Sequence, residues 1–209
     1  MREQTTSALP PPCRTNRSGS LALTSFPHNR IALVPLKSFA TAKQRLRAHL
    51  SDTATAQLVE ELALGVLAAC RPLTTWIVTD DEDIEEFAAR HGLATFRPSR
   101  QGLNEGVREA YRTASEQFEH AVVIHADLAH PENLGIFEYG NSITLFPDHL
   151  GLGSNVLALP TGMDFEFQYG PDSASCHISE SRRLGVEPHV IRDSPWRFDI
   201  DCPEDLPAT

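Results

Sequence analysis

Short apolar runs alternate along this chain with longer segments in which apolar residues recur at helical spacing. The apolar runs predict buried strands at residues 31–35, 75–79, 93–96, 121–125, 142–146, 155–159 and 188–191. The longer segments predict helices at about residues 52–69, 80–91, 104–118 and 173–184, with Leu58, Leu62 and Val66 on the buried stripe of the first. This alternation predicts an α/β fold with a mostly parallel sheet, helices on both faces, and ligands bound outside the carboxyl ends of the strands.

The first 28 residues show no sustained period. They are rich in Ser, Thr, Pro and Arg, with three consecutive prolines at positions 10–12. A segment of this composition cannot bury enough apolar surface to fold. We expect residues 1–28 to be a disordered extension and residues 29–209 to form a single domain.

The overall composition excludes several classes of function. The formal net charge of −10 over 209 residues disfavours nucleic-acid binding, because an acidic surface repels phosphate backbones. No apolar run approaches the roughly 20 residues that a membrane span needs, and the start lacks the apolar core of a secretory signal. The four cysteines show no paired spacing. We therefore expect a cytoplasmic protein that contacts no membrane and has neither a disulfide framework nor structural zinc.

The lysines are unevenly placed. Lys37 and Lys43 are the only lysines in the chain, and both follow the first predicted strand. An ammonium group is a compact, mobile charge that suits a phosphate. A solvated loop in which the coincidence means nothing explains the segment equally well.

Aspartates end two of the apolar runs. Asp127 follows the run at 121–125, and Asp199 and Asp201 lie two apart in a segment, 198–201, that we interpret as a short strand. Residues two apart in a strand share a face, so the three carboxylates can form an oxygen-rich site for Mg²⁺. The alternatives are a helix N-cap for Asp127 and a turn before Pro203 for Asp201.

Three loops carry glycine and small polar residues at expected strand or helix ends. Residues 102–106 and 169–173 each lead into a helix, whose free N–H groups can bind an anion, although both can equally be caps, with Ser173 as N-cap. Residues 147–155 lead into a strand, where glycines allow a close approach to a ligand or an ordinary hairpin turn. His125 and His130 lack zinc spacing, and we expect them in core or surface roles.

Taken in order, these motifs resemble the 2-phospho-L-lactate guanylyltransferase family. The resemblance runs from about residue 30 to the C-terminus and depends on the spacing of the lysine segment 35–46, Gly102-Leu-Asn104, Ala126-Asp-Leu128, the loop 147–155, Gly170-x-x-Ser173 and Asp199-Ile-Asp-x-Pro-Glu-Asp-Leu206. It implies a Rossmann-like three-layer nucleotidyltransferase fold with a mostly parallel mixed sheet, as in molybdenum-cofactor guanylyltransferases. It also implies synthesis of the guanylylated intermediate of deazaflavin coenzyme F-420 from 2-phospholactate, phosphoenolpyruvate or 3-phosphoglycerate.

The resemblance implies a role for each matching position. The metal-binding carboxylates match Asp127 and Asp199, with Asp201 beside them, and the implied cofactor is Mg²⁺. The nucleotide positions match Lys37, Lys43, Arg45, Gly102, Asn104 and Asp127. The positions that hold the acid match Ser154, Asn155, Gly170 and Ser173. Catalysis is expected from Lys37, Lys43, Asp127 and Asp199.

The expected reaction joins GMP from GTP to the phosphate of a small carboxylic acid and releases pyrophosphate. A phosphate monoester is already ionised near neutral pH, so the site needs charge neutralisation and alignment rather than a base. The product is a reactive anhydride, which suits handover to a downstream transferase; the sequence does not indicate the oligomeric state. A nucleotide-sugar glycosyltransferase and a non-catalytic nucleotide-binding protein remain the alternatives.

Overall fold

The computed structural model describes residues 29–206, so the expected extension at residues 1–28 lies outside the described residues. Seven strands and four α-helices occur in this range. The strands are β1 Arg30–Pro35, β2 Thr74–Val78, β3 Ala94–Phe96, β4 His120–Ile124, β5 Thr144–Pro147, β6 Ser154–Pro160 and β7 His189–Val190. The helices are α1 Asp52–Ala69, α2 Glu82–Arg90, α3 Leu103–Ala114 and α4 Ser173–Arg183.

The strands form one mixed sheet in the order β3-β2-β1-β4-β6-β5-β7. Strands β3, β2, β1 and β4 are mutually parallel, β6 runs antiparallel to β4 and β5, and β7 is parallel to β5. The carboxyl ends of β1, β2 and β4 therefore meet the start of β6 at one edge of the sheet. This is the edge at which an α/β sheet binds its ligands.

Both faces of the sheet are buried. Along β1, Ala32 and Val34 belong to a hydrophobic cluster that includes residues of α1 and α2, whereas Ile31 and Leu33 belong to a second cluster that includes residues of α3 and α4. Alternate residues of a strand point to opposite faces, so an unbroken apolar strand needs cover on each side. The structure confirms the predicted three-layer α/β fold.

Helix α1 buries a different stripe from the predicted one. Val59, Ala63 and Val66 are buried, while Leu58 and Leu62 are only half-buried. The buried stripe is thus displaced by one position in its first two turns. Small side chains at 59 and 63 let the helix approach the sheet closely, and the larger leucines cover its flank.

The predicted strand at 198–201 is absent. This segment forms a single antiparallel bridge between Leu128 and Asp199, with backbone hydrogen bonds from Ala129 N to Phe198 O (2.8 Å) and from Ile200 N to Asp127 O (3.0 Å). The 3₁₀ turns Pro195–Arg197 and Pro203–Asp205 confine the extended backbone to a few residues. The segment nevertheless lies alongside the chain that follows β4.

Two further sequence expectations concern cysteines and membranes. Cys70, Cys176 and Cys202 are free thiols, and the fourth cysteine, Cys13, lies outside the described residues. Among the helices of residues 29–206, none combines the length and apolar character that crossing a membrane requires.

Candidate active site

Three aspartates meet at the ligand-binding edge of the sheet. Asp127 follows β4, and the bridge between Leu128 and Asp199 brings Asp199 and Asp201 beside it. One carboxylate oxygen from each of the three lies within 4.8 Å of the others. The side chains that the sequence suggested as metal ligands are therefore close enough to share one cation. Oxygen atoms from several carboxylates are the ligands that hard divalent cations prefer.

Lys43 reaches into this cluster. Its ammonium group donates hydrogen bonds to Asp127 and Asp201, and its side chain is only 11% exposed. Burial opposes the charge on Lys43, but the two carboxylates outweigh it and raise the lysine pKa. Burial likewise opposes the charge on Asp127, but Lys43, together with a smaller effect of His125, outweighs it and lowers the pKa of Asp127.

Asp199 lacks such compensation. Burial and the neighbouring Asp127 raise its pKa, and one hydrogen bond from Asn155 Nδ2 (3.2 Å) only partly offsets them. The Oδ1 atom of Asp127 is buried without a hydrogen-bond partner in the described structure. The cluster therefore contains three carboxyl groups but only one ammonium group that contacts them within residues 29–206, that of Lys43. One carboxylate oxygen, Asp127 Oδ1, has no hydrogen-bond partner in the described structure. An additional cation would relieve both the repulsion and the missing contact.

Arg47 holds the segment that carries Lys43. Its guanidinium donates to the carbonyls of Ala42 (3.0 Å) and Phe39 (3.0 Å) and to the carboxylate of Asp52 at the start of α1 (2.6 Å). Lys43 itself has a positive φ of 53°, an uncommon conformation for a residue with a Cβ atom. The hydrogen bonds from Arg47 hold the loop in one conformation and so maintain the strained backbone at Lys43. Arg45, the predicted nucleotide-binding arginine, is exposed and forms no ion pair within residues 29–206.

A cleft of about 310 Å³ opens beside the aspartates. Four of the predicted site residues line it: Lys37, Lys43, Gly102 and Asp127. His125, for which we expected a core or surface role, also lines the cleft because it directly follows β4 at the ligand-binding edge. Its Nε2 atom is buried without a partner in the described structure.

Asn104 makes a contact that the sequence did not suggest. Its Nδ2 donates to the carbonyl oxygen of Tyr169 (3.0 Å), and its Oδ1 accepts from the amide of Tyr169 (2.6 Å). Both polar ends of the side chain thus hold the segment before Gly170. Gly170 has a φ of 143°, which only glycine adopts readily. The first turn of α3 therefore positions the loop that leads into α4.

Ser154, Ser173 and His177 form a buried hydrogen-bonded group between β6 and α4. The amide of Gln168 donates to His177 Nε2 (3.0 Å), which leaves the proton on Nδ1, facing Ser154 Oγ at 2.9 Å. Ser173 Oγ also donates to Ser154 Oγ (3.2 Å). Ser154 accepts two bonds and keeps its own hydroxyl proton to donate. Burial lowers the pKa of His177 to about 4, so the ring stays neutral.

Ser173 is not the N-cap of α4, the alternative that the sequence offered for it. The N-cap of α4 is Asp172, with a φ of 55°, and Ser173 is the first helical residue. Its hydroxyl turns inward to Ser154 instead of capping the helix. The loop at 147–155 is the hairpin between β5 and β6, and Asp148 closes it by accepting from the amides of Leu152 and Gly153 (both 2.8 Å).

Asn155 connects the aspartate cluster to the backbone of the 3₁₀ turn Pro195–Arg197. Its Nδ2 donates to the carbonyl of Trp196 (3.0 Å) as well as to Asp199. The sequence offered Asp201 as a turn residue before Pro203, but Asp205 holds this turn. Its carboxylate accepts hydrogen bonds from the backbone amides of Asp201 (2.9 Å) and Cys202 (2.8 Å). The carboxylate of Asp201 is thereby left to Lys43. No helix begins at Asp127, so it is not an N-cap.

Comparison with known proteins decides the family. The family model described as Guanylyl transferase CofC like matches residues 30–208. The chain belongs to this family. A phosphoenolpyruvate guanylyltransferase from Rubrobacter xylanophilus is 31% identical over 185 residues, which cover 84% of this chain and 90% of that protein. A 3-phospho-D-glycerate guanylyltransferase from Phenylobacterium zucineum is 29% identical and matches 83% of this chain and 86% of its own length.

A solved structure supports the fold of this chain. A nucleotidyl transferase from Methanothermobacter thermautotroptrophicus superposes with a TM-score of 0.57 at 13% identity, over 85% of this chain and 94% of that chain. The family resemblance, the fold class and the nucleotidyltransferase class of enzyme are thus confirmed. Sequence reasoning did not single out Arg47 or His177, and it gave His125 no role in the site. Arg47 contacts residues only five to eight positions away, but through a loop conformation that no pattern indicates. His177 contacts residues of other segments, and His125 lies at a strand end whose neighbours the sequence does not show.

Proposed function

We propose that this protein transfers GMP from GTP to the phosphate of a small phosphorylated carboxylic acid in the cytoplasm, as a step of deazaflavin coenzyme F-420 biosynthesis. The acid is 2-phospho-L-lactate, phosphoenolpyruvate or 3-phosphoglycerate. The observation that carries the proposal is the group of three aspartates and Lys43 at the mouth of the cleft. The family and the names of its relatives supply the class of reaction.

The aspartates fit a Mg²⁺ ion. Asp127, Asp199 and Asp201 would hold it, since their oxygens converge and one of them is buried without a partner in the described structure. The pKa of Asp199 is raised by burial and by the repulsion of Asp127, and a cation relieves that repulsion. When bound, Mg²⁺ would supply positive charge to the phosphate oxygens of both substrates. The ammonium of Lys43 adds charge at the same place, and Lys37 adds it further along the cleft wall.

The attacking atom is a phosphate oxygen of the acid. With a second pKa of about 6, this group is ionised at neutral pH and needs no general base. It forms a bond to the α-phosphorus of GTP while the bond from that phosphorus to the bridging β-phosphate oxygen breaks. Pyrophosphate leaves with the electron pair, and Lys37 and Lys43 offset its charge. The chain contributes alignment and charge rather than proton transfer.

The acid is proposed to lie at the start of α4. Gly170 and Ser173 open this helix, and the positive end of its dipole favours a carboxylate or phosphate. Ser154 and Asn155 support the same place from β6, and His177 and Asp199 hold their side chains in position. The anhydride product would pass to a downstream transferase, because it hydrolyses if it is released freely.

Mass spectrometry of the products tests this proposal. The protein is incubated with GTP, Mg²⁺ and the three acids in competition, and with a nucleotide-sugar and the same acids as a control for glycosyl transfer. The proposal requires a GMP–acid adduct together with pyrophosphate. Transfer from the nucleotide-sugar alone, or no adduct with any acid, would contradict it.

A further inference from the structure

The cleft extends well beyond the aspartates, and its far end carries one acidic side chain. Asp80 follows β2, which lies two strands from β4 and so about 10 Å from the end that carries Asp127. If the α-phosphate of GTP lies at the aspartates, a ribose and a base span this distance. The position of Asp80 is therefore the place for the edge of the base.

The wall between these two ends is mostly apolar, although Lys37 also lies on it. Leu36, Val59, Val78, Pro98 and Leu103 line it. Gly106 of α3 packs so closely that an added Cβ would lie 3.4 Å from Pro98 and 3.5 Å from Val78, which keeps this wall tight. A slot with mostly apolar sides and a carboxylate at its far end suits a flat heterocycle that presents hydrogen-bonding groups along one edge.

The carboxylate of Asp80 is not used elsewhere in the described structure. It forms no hydrogen bond and no ion pair within residues 29–206, and the side chain is exposed at the cleft. The adjacent Thr79 Oγ1 accepts from the amide of Asp81 (3.2 Å). Arg97 is held by Glu85 through bonds of 2.8 and 2.7 Å. Asp80 is thus available to a ligand.

We propose that Asp80 selects guanine among the nucleobases, an inference that rests on the proposed function. Guanine presents two adjacent donors, the N1–H and the exocyclic amine at C2, and a carboxylate offers two matching acceptors. Adenine presents an acceptor at N1, which the carboxylate repels. Hypoxanthine lacks the amine, and xanthine has a carbonyl in its place. A carboxylate at the end of the slot therefore favours GTP over ATP, ITP and XTP.

The experiment measures kcat/KM for GTP, ITP, XTP and ATP with the preferred acid, in the wild type and in Asp80→Asn. The variant replaces one acceptor by a donor, so its activity with GTP should fall about tenfold to a hundredfold, while its activity with XTP should rise. Asp83→Asn is the matched control, because Asp83 is an exposed aspartate of the adjoining α2 that does not line the cleft. Asp83→Asn removes one negative charge, as Asp80→Asn does, and should change kcat/KM for neither GTP nor XTP.

The outcomes separate this inference from the proposed function. A wild type that releases pyrophosphate from none of the nucleotides contradicts the proposed function itself. An active wild type with an Asp80→Asn variant that retains the GTP-to-XTP ratio overturns the role of Asp80 alone. The wild type also provides a test without any variant: it must prefer GTP to ITP by about tenfold, because ITP lacks one of the two donors. Equal use of GTP and ITP overturns the inference even if the variant does not fold.

Discussion

Single residues set an uneven charge balance at the site. Lys43 faces Asp127 and Asp201, and no other ammonium or guanidinium group contacts the three aspartates within residues 29–206. The two less exposed carboxyls consequently differ, since the pKa of Asp127 is lowered mainly by Lys43 against its burial, whereas burial raises that of Asp199. Their effects on stability should have opposite signs.

We predict that Asp199→Asn leaves the metal-free protein as stable as the wild type or slightly more so. A carboxyl whose pKa is raised binds its proton more tightly in the folded state, so ionising it costs stability as pH rises above about 4. Asparagine removes this cost and can still accept from Asn155. Asp127→Asn should destabilise the protein at pH 7, because a lowered pKa contributes stability that is present above pH 4 and lost as pH falls through that pKa.

Urea unfolding in EDTA at pH 7 measures both changes. Asp83→Asn provides the control for loss of one negative charge at an exposed position. If Asp127→Asn were the more stable of the two variants, the pairing of Lys43 with Asp127 would be wrong.

Lys43 and Lys37 should behave differently when each is replaced by alanine. Lys43→Ala leaves Asp127 facing two other carboxyls and should lower stability by about 2 kcal/mol, with little of this from the half-exposed Asp201. It should also raise KM for GTP at least tenfold. Lys37 forms no ion pair within residues 29–206, so Lys37→Ala should affect only GTP use. Thermal melts and steady-state kinetics check both, and equal melting temperatures for the two variants would contradict the assignment.

At the scale of elements, the contact between β6 and α4 depends on a neutral histidine. His177 accepts from the amide of Gln168 at Nε2, so protonation of this nitrogen removes a hydrogen bond inside the core. Its folded pKa of about 4 lies below the usual 6.5. The unfolded chain therefore takes up a proton first as pH falls from 6.5 to 4, and stability is lost over that window.

We predict a loss of about 3 kcal/mol in the free energy of unfolding between pH 7 and pH 4 that depends on His177, at about 1.36 kcal/mol for each unit of pKa difference. Urea denaturation across this range compares the wild type with His177→Gln, which does not titrate. His120, whose pKa is lowered by burial and by Arg30, titrates in the same direction, but it is present in both proteins and cancels. If the free energy of unfolding of the two proteins changed with pH in parallel, the titration of His177 would not be the cause of the loss.

The bounds of an element could be predicted where local sequence signals decide them. The sequence placed α1 correctly because Ser51 caps it by accepting from Ala54 N (3.2 Å), a local signal. The strand expected at 198–201 was wrong because its extent depends on the chain that it meets, and only Leu128 pairs with it. The rotated stripe of α1 similarly depends on how closely the helix approaches the sheet.

At the scale of the whole molecule, the aspartate cluster was predictable and the contact of Lys43 with it was not. Asp127 directly follows an apolar run at the edge where parallel strands end, which the sequence indicated. Asp199 reaches the same edge through its bridge with Leu128 rather than through the predicted strand. The contact of Lys43 with the cluster requires a positive φ at Lys43 and a brace from Arg47, neither of which the sequence pattern indicates. The clamp of Asn104 on Tyr169 joins residues 65 positions apart, which lies beyond the reach of local patterns.

The N-terminal extension provides a further prediction at this scale. The family model begins at residue 30, and residues 1–28 lack the composition of a packed segment. Deletion of residues 1–28 should therefore leave the melting temperature and the turnover number unchanged. A clear fall in either value would show that this segment contributes to the domain.

The most direct test of the central claim is pyrophosphate release from GTP and a phospho-acid as a function of Mg²⁺ concentration, in the wild type and in Asp199→Asn. The wild type should show saturable dependence on Mg²⁺ and release one pyrophosphate for each GMP–acid adduct formed. Asp199→Asn, which we expect to fold as stably as the wild type, should be at least a hundredfold slower at every Mg²⁺ concentration. Release at the wild-type rate by Asp199→Asn, or release that does not respond to Mg²⁺, would contradict the account of the aspartates as the centre of catalysis.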